Sequence, residues 1–366
     1  MKQRVILSIL FLGVWLISCS REPRIVISKY RIDFQNTGVI STQPLITPPR
    51  IAWKYKTYFW VFSSATADAR RVYFGGVDGN IYALNQETGK REWRFVTQYR
   101  VYSTPTLAED YLYVGSMDGN LYCLKRKNGE EVWRFSTGKA IYASPVVDQG
   151  VVYVGAINNM FYALDAEIGT EIWRFPTAGK VRSTAALWGD LVIFGDEAGF
   201  LYGVNRKSGK LKWKFQSQGP FIGSPAIAND RVLASGMDYF FYALDAESGK
   251  FLWRFQADSN LSASPAVMEG QVYFGSWKGT FYALDVDSGR VQWQFNTRAS
   301  IMSSPTIVQN VIYFGNRNGE LFALDRNSGK LLWKTRLSDG SIGASPILVN
   351  GKLFIGSQDN YFYALE

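Results

Sequence analysis

Eight tryptophans recur every 40 residues without a slip: Trp53, Trp93, Trp133, Trp173, Trp213, Trp253, Trp293 and Trp333. A period of this length confines a chain to an array, each copy being one supersecondary unit stacked on its neighbours. Glycines keep the same step from Gly89 to Gly329. So does an aromatic series, Tyr82, Tyr122, Tyr162, Tyr202, Tyr242, Tyr282 and Phe322, which closes at Tyr363 after a one-residue insertion in "TRLSDGSIGASP".

Each copy contains four short runs separated by turn signals. Between Ile141 and Phe175 they read "IYASPVV", "VVYVGA", "MFYALD" and "EIWRF". Runs of this length, rich in Val, Tyr, Phe and Trp and broken by Gly and Asx turns, are strands. No window offers a helix of useful length. Four antiparallel strands per copy at this period describe the blade of a β-propeller, an all-β fold. WD40 repeats share the period but carry Gly-His and Trp-Asp pairs. This chain has no histidine, and none of its 12 tryptophans precedes Asp. Kelch repeats are longer, at about 50 residues.

Eight Ser/Thr positions, Ser64, Thr104, Ser144, Thr184, Ser224, Ser264, Ser304 and Ser345, open eight inner strands. The chain stops at "FYALE", so the last blade lacks a Trp strand, while Ile51–Thr57 ("IAWKYKT") is a Trp strand with no blade before it. An eight-bladed ring follows, closed by strand 51–57 as the outer strand of the last blade. Closure leaves no open sheet edge between first and last copies.

The repeated unit Ala-x-Asp-x-x-Thr/Ser-Gly-Lys-x-x-Trp stands here as "ALNQETGKREW", "ALDAESGKFLW", "ALDVDSGRVQW" and "ALDRNSGKLLW". It resembles the tryptophan-docking motif of the pyrroloquinoline quinone (PQQ) dehydrogenases and their relatives, over residues 31–366. The eight tryptophans are read as structural docking residues, one wedged beside a Gly turn per blade. The residue after each Trp is Lys54, Arg94, Arg134, Arg174, Lys214, Arg254, Gln294 or Lys334. Strand alternation turns it outward, where a cation discourages edge-to-edge pairing. These charges are spread round the rim. Nucleic-acid binding needs a concentrated basic face, so no nucleic-acid partner is expected.

The formal charge is +9. Without histidine, any chemistry would have to rest on carboxylates, Lys, Tyr or a cofactor. Lys2 and Arg4 precede an apolar run, Val5–Ile17, too short to span a bilayer comfortably. The run ends in "LISC", which resembles a bacterial lipobox with Cys19 as the lipidated mature N-terminus; an uncleaved anchor or ordinary secretory signal is the alternative. The domain reading is therefore a signal peptide at 1–18, a lipidated tether and lead-in at 19–50, and the propeller at 51–366. The other cysteine, Cys123 in "LYCL", is read as a buried small hydrophobe. Several acyl chains would give stable anchoring.

Binding determinants are expected where the copies differ. Two residues before the Ser/Thr series stand Phe62, Tyr102, Tyr142, Arg182, Ile222, Ser262, Met302 and Gly343. The loops between second and third strands, on the same face, vary among residues such as Asp78, Asp118, Asn158, Glu197, Asp238 and Lys278. Tyr99, Arg100, Tyr102, Tyr142, Arg182, Trp277 and Arg317 form a candidate partner-binding face of aromatic and Arg anchors. The acidic residues Asp118 and Asp238 are read as turn formers. Blade 4 is irregular: Ala185 replaces Pro, Gly203-Val204 replaces Ala-Leu, and Trp188 is added.

The lipobox and propeller together resemble the PQQ-repeat lipoproteins, including the BamB family of the outer-membrane β-barrel assembly machinery. That resemblance implies a non-enzymatic, monomeric scaffold at the periplasmic face of the outer membrane, binding another envelope protein such as the barrel-assembly machinery. The alternatives are a ligand- or polysaccharide-binding propeller and a PQQ-dependent dehydrogenase. The dehydrogenase family carries a calcium or lanthanide site, a catalytic Asp and often a vicinal disulfide. This chain has no Cys-Cys pair and no insertion for an active-site cap, so no cofactor, no metal and no catalytic residue is expected.

Overall fold

The computed structural model describes residues 27–366, which form eight four-stranded antiparallel sheets and contain no helix. Val5–Ile17 and Cys19 lie outside the described residues. Blade 1 comprises Thr66–Ala67, Arg71–Gly75, Asn80–Asn85 and Arg91–Val96. Blades 2 to 7 repeat it, and blade 8 comprises Ile347–Val349, Lys352–Gly356, Tyr361–Leu365 and, returning from the start of the chain, Ile51–Lys56. Trp53 pairs with Ala364 as Trp93 pairs with Ala83, so the closing strand reproduces the register of the others. The strand ends at Lys56, and Thr57 continues the pairing through its N–H to the Asn360 carbonyl at 2.9 Å.

The two central strands of each blade are buried almost throughout, because neighbouring blades cover both faces. This is why they read as apolar runs, whereas outer strands alternate. In Glu131–Ser136, Trp133 is buried and Arg134 exposed. The core consists of seams between blades. Phe161 of blade 3 stacks on Phe194 of blade 4 with centroids 3.9 Å apart, and Phe241 on Phe274 of the next blade at 4.2 Å. Cys123 lies in one such seam, where burial pushes its thiol up to about 12.

Each docking tryptophan reaches into the next blade. Trp93 Nε1 donates to the Arg126 carbonyl at 3.0 Å, and its ring lies against Gly129. Trp213 repeats this with the Ala246 carbonyl and Gly249. Trp333 has no equivalent turn to use, since the third and fourth strands of blade 8, Tyr361–Leu365 and Ile51–Lys56, are not consecutive in the chain. The Leu45 carbonyl takes that place, accepting from Trp333 Nε1 at 2.8 Å and from the Tyr313 hydroxyl at 3.0 Å. The segment before the closing strand thus substitutes for the missing turn.

Residues 27–50, grouped in the sequence with the tether, are packed structure. Ile27 exchanges backbone hydrogen bonds with Ala67 of blade 1. The carbonyls of Ser28, Phe34, Gln35, Thr37 and Gly38 accept from the inner strands of blades 2, 4, 5, 6 and 7. The lead-in therefore winds across one end of the central channel and plugs it. Lys29, Arg31 and Asn36 are buried in the plug. The Arg31 guanidinium donates to the Pro305 and Pro265 carbonyls, both at 2.6 Å, and Asn36 Nδ2 donates to Pro225 O at 2.9 Å. Lys29 Nζ donates to Asn36 Oδ1 at 2.9 Å, to the Tyr30 carbonyl and to the Asp33 carbonyl.

Burial pushes the Lys29 ammonium down from 10.5 to about 7, against the opposing attraction of Asp33. The folded chain then holds this proton less tightly than the unfolded chain. Between about pH 7 and the ordinary lysine range the unfolded state binds more protons, so stability rises with pH across that window. Melting temperatures from pH 7 to 9.5 should show this rise, and Lys29→Met should flatten it. An equal slope in both proteins would contradict it.

Candidate functional site

The eight Ser/Thr residues that open the inner strands form a ring inside the channel. The Thr104 N–H donates to Ser144 Oγ at 2.9 Å, Ser144 N–H to Thr184 Oγ1 at 3.1 Å, and Thr184 N–H to Ser224 Oγ at 2.8 Å. The series continues round to Ser345, whose N–H donates to Ser64 Oγ at 3.0 Å. In seven of the eight steps the hydroxyl gives the equivalent N–H of the preceding blade an acceptor where no strand can pair with it. Below the ring, the Tyr30 hydroxyl of the plug meets Ser304 Oγ at 3.0 Å and Ser264 Oγ at 3.2 Å. The channel is consequently a cup of about 160 Å³, floored by Tyr30 and open on the opposite face.

The residues two before the ring form the mouth. Phe62 and Tyr102 lie 5.5 Å apart, Tyr102 stacks on Tyr142 at 5.4 Å, and the Arg182 guanidinium lies 4.4 Å above the Tyr142 ring. Arg182 is ion-paired to Glu197. Burial raises the Tyr142 phenol, with Arg182 opposing. The ladder extends outward: Phe62 to Trp60 at 6.1 Å and Trp60 to Phe59 at 5.0 Å. Phe59, Trp60 and neighbouring Tyr58, the last 75% exposed, stand on the surface. An aromatic arc ending in a cation therefore spans blades 1 to 4. On blades 5 to 8 the equivalent positions are Ile222, Ser262, Met302 and Gly343.

Of the sequence candidates, Tyr102, Tyr142 and Arg182 come together in this arc. Exposed Tyr99 and Arg100 flank it on blade 2, with the Arg100 guanidinium 5.4 Å from the Tyr99 ring. Trp277 and Arg317 lie on the same face across the mouth. Trp277 Nε1 donates to Ser262 Oγ at 2.7 Å, and Arg317 is exposed. Tyr58, Phe59 and Trp60 were missed. Their signal is "TYFWV", three consecutive aromatics where no other copy has more than one, as in "TQYRV", "TGKAI" and "SQGPF".

The loop carboxylates are engaged in the fold. Asp118 accepts from the Asn120 N–H at 2.9 Å, the Gln98 N–H at 3.0 Å and the Tyr122 hydroxyl at 2.8 Å. Asp78 and Asp238 bond Tyr82 and Tyr242 in the same way. In blade 4 Ala198 occupies this position, and Asp196 bonds Tyr202 instead. A quinone with a divalent cation requires convergent anionic donors. The cup is lined by hydroxyls and aromatics, with Arg182 as its charged side chain and no carboxylate. Among the described residues no three Asp, Glu or Cys side chains group to hold a metal. The residues present do not fit that pair. A larger depression of about 830 Å³ lies outside the ring beside Phe215, Tyr242, Phe251 and Arg254; it is the open gap between blades 4 and 5.

Eight four-stranded blades, a Trp–Gly dock at the seams and a hydroxyl ring define a β-propeller of the PQQ-like repeat class. Residues 106–366 match the family model described as beta-alanine-activating enzyme, beta-propeller, and the chain belongs to that family. No curated protein matches the chain. Among solved structures it is similar to BamB from Moraxella catarrhalis, at 14% identity and a TM-score of 0.74, over 87% of this chain and 98% of that one. It is similar to the quinohemoprotein alcohol dehydrogenase ADHIIG from Pseudomonas putida HK5, at 13% identity and a TM-score of 0.82, over 93% and 80%. The computationally designed Ika8 protein is 16% identical with a TM-score of 0.78, over 86% and 98%. Identities this low show the shared fold, and the fold carries both enzymes and BamB. It does not decide which this chain is.

Proposed function

We propose that the protein is a non-enzymatic envelope lipoprotein, anchored through Cys19 at the periplasmic face of the outer membrane, whose mouth face binds another envelope protein. The observation that supports this is the aromatic arc from Phe59 through Trp60, Phe62, Tyr102 and Tyr142 to Arg182. Contiguous exposed aromatics closed by an Arg are the usual anchors of protein interfaces. Similarity to BamB makes barrel assembly the first process to examine, with the barrel-assembly machinery as partner. A quinone dehydrogenase is disfavoured by a cup that offers a cation no carboxylate.

Crosslinking in the native envelope followed by mass spectrometry tests the reading. Recovery of barrel-assembly components is expected from the native chain. The triple variant Tyr102→Ala, Tyr142→Ala, Arg182→Ala should recover at least about tenfold less, the loss of one hot spot or more. Its melting point should stay within a few degrees, because these side chains are half-exposed. Unchanged recovery would refute the placement. Quinone absorbance retained through gel filtration after adding PQQ and calcium, with dye reduction by an alcohol, would refute the non-enzymatic reading.

A further inference from the structure

The face opposite the mouth carries a second pattern, unrelated to the aromatic arc. It lies at the turn end of each outer strand, where a bulge precedes the docking Trp and turns its two preceding residues toward solvent. In blades 1 to 3 the residue two before Trp is charged: Arg91, Glu131 and Glu171. In blades 4 to 8 it is apolar: Leu211, Phe251, Val291, Leu331 and Ile51, each between 43% and 51% exposed.

The residue before each of these five is a cation: Lys210, Lys250, Arg290, Lys330 and Arg50. Blade 1 also has a cation there, Lys90, followed by Arg91, whereas blades 2 and 3 have Glu130 and Thr170. Arg50 pairs with Glu366 at 3.0 Å. Among the described residues the other four cations are in no salt bridge. Five carboxylates share these turns: Asp245, Asp285 and Asp325 accept from the hydroxyls of Ser248, Ser288 and Ser328, Asp287 is held by Arg231 at 3.0 Å, and Glu247 is the fifth. Further apolar surface comes from Leu252, Leu332 and Ile46, and on blades 2 and 3 from Val132, Ile168 and Ile172, where it adjoins Glu130, Glu131 and Glu171.

We infer that this face rests on an anionic lipid surface, tilted onto blades 4 to 8. Five cation–apolar pairs at one height on neighbouring blades form a shallow strip, interrupted beside Phe251 by the open gap between blades 4 and 5. Such a strip suits a soft planar surface: the apolar side chains enter the headgroup layer, while the cations remain at the phosphates. The described chain also begins on this face, at Ile27 against Ala67, so the residues preceding it leave from the same side. The acidic positions of blades 2 and 3, Glu130, Glu131 and Glu171, would be repelled, which gives the tilt. Such seating leaves the mouth facing away from the membrane. The inference is independent of what the mouth binds.

The full chain, added to vesicles, is treated with an amine-acylating reagent, and modification of each lysine is read by mass spectrometry. The N-terminal segment, as apolar Val5–Ile17 in the unprocessed chain or lipidated Cys19 in the processed one, would carry the chain to either kind of vesicle, so the readout is the ratio between faces. With equal parts phosphatidylcholine and phosphatidylglycerol, Lys210, Lys250 and Lys330 should react about fivefold more slowly relative to the mouth lysines Lys139, Lys180 and Lys278. With phosphatidylcholine alone the ratio should not move. The variant Leu211→Ser, Phe251→Ser, Leu331→Ser changes exposed side chains and should lose most of the protection at an unchanged melting point. Absence of the fivefold slowing, equal slowing on both faces, slowing with phosphatidylcholine alone, or full protection in the variant would overturn the inference. Slowing without vesicles would assign the strip to a second protein copy and overturn it equally.

Discussion

Trp213→Ala is expected to destabilise the protein by about 3–5 kcal/mol, the range for truncating a buried aromatic. For a chain of this size that lowers the melting temperature by roughly 4–7 °C in scanning calorimetry. The indole is buried between blades 4 and 5, and its Nε1 donates to the Ala246 carbonyl at 3.0 Å. Its loss leaves a cavity in a seam and an unpaired carbonyl. Gly249, the other half of the dock, has φ +67°, and a Cβ there would lie 2.5 Å from Trp213 Cδ2. Gly249→Ala should therefore also destabilise, from backbone strain and from collision with the ring. Gly203 has the same relation to this ring on its other side: a Cβ would lie 2.2 Å from Cε2. One oddity of blade 4, Gly in place of Ala, thus accommodates where Trp213 sits. Nothing in the structure explains Ala185 in place of Pro. A Trp213→Ala protein that melts with the native chain would refute the dock as a stabilising element.

Arg31→Ala should destabilise by about 3 kcal/mol, since charge-assisted hydrogen bonds contribute about 1.5–3 kcal/mol each. The guanidinium donates to carbonyls of two different blades, Pro265 and Pro305, neither of which can reach a strand partner. Its removal leaves both acceptors buried and loosens the floor of the cup. Limited proteolysis should then cut within residues 27–40 faster than in the native chain. Loss of Arg31 also removes one of the two charges that act on Lys29, so the pH at which Lys29 titrates should rise. Native-like melting and native-like protease resistance together would show that the guanidinium does not hold the plug.

How much was legible in the chain differs between the ring and its faces. The blade boundaries, the number of blades and the closing strand could be read because every copy solves one packing problem with the same residues. Trp53 in an orphan strand and a terminal "FYALE" without a Trp strand left one economical pairing, and Trp53 does lie opposite Ala364. The mouth was half legible. Tyr102, Tyr142 and Arg182 stand at one repeat position, so periodicity set them side by side. Tyr58, Phe59 and Trp60 precede the first full copy, where comparison between copies is weakest, and were passed over.

The plug was legible only as a lead-in to the first blade, not as buried structure. Lys29, Arg31 and Asn36 are polar residues in a stretch without period, and such a stretch normally reads as linker. Their burial depends on inner-strand carbonyls brought from blades 4 to 7, which converge only once the ring has closed. By itself the sequence determined the all-β propeller, its eight blades and its means of closure, since repetition of one local pattern suffices for these. The tertiary structure alone decided that the channel is a cup with one open end. It also gathered the scattered aromatics into an arc on that end and the cation–apolar pairs into a strip on the other. The physical reason is that each of these features is made by residues from several blades meeting across space, which no local pattern records.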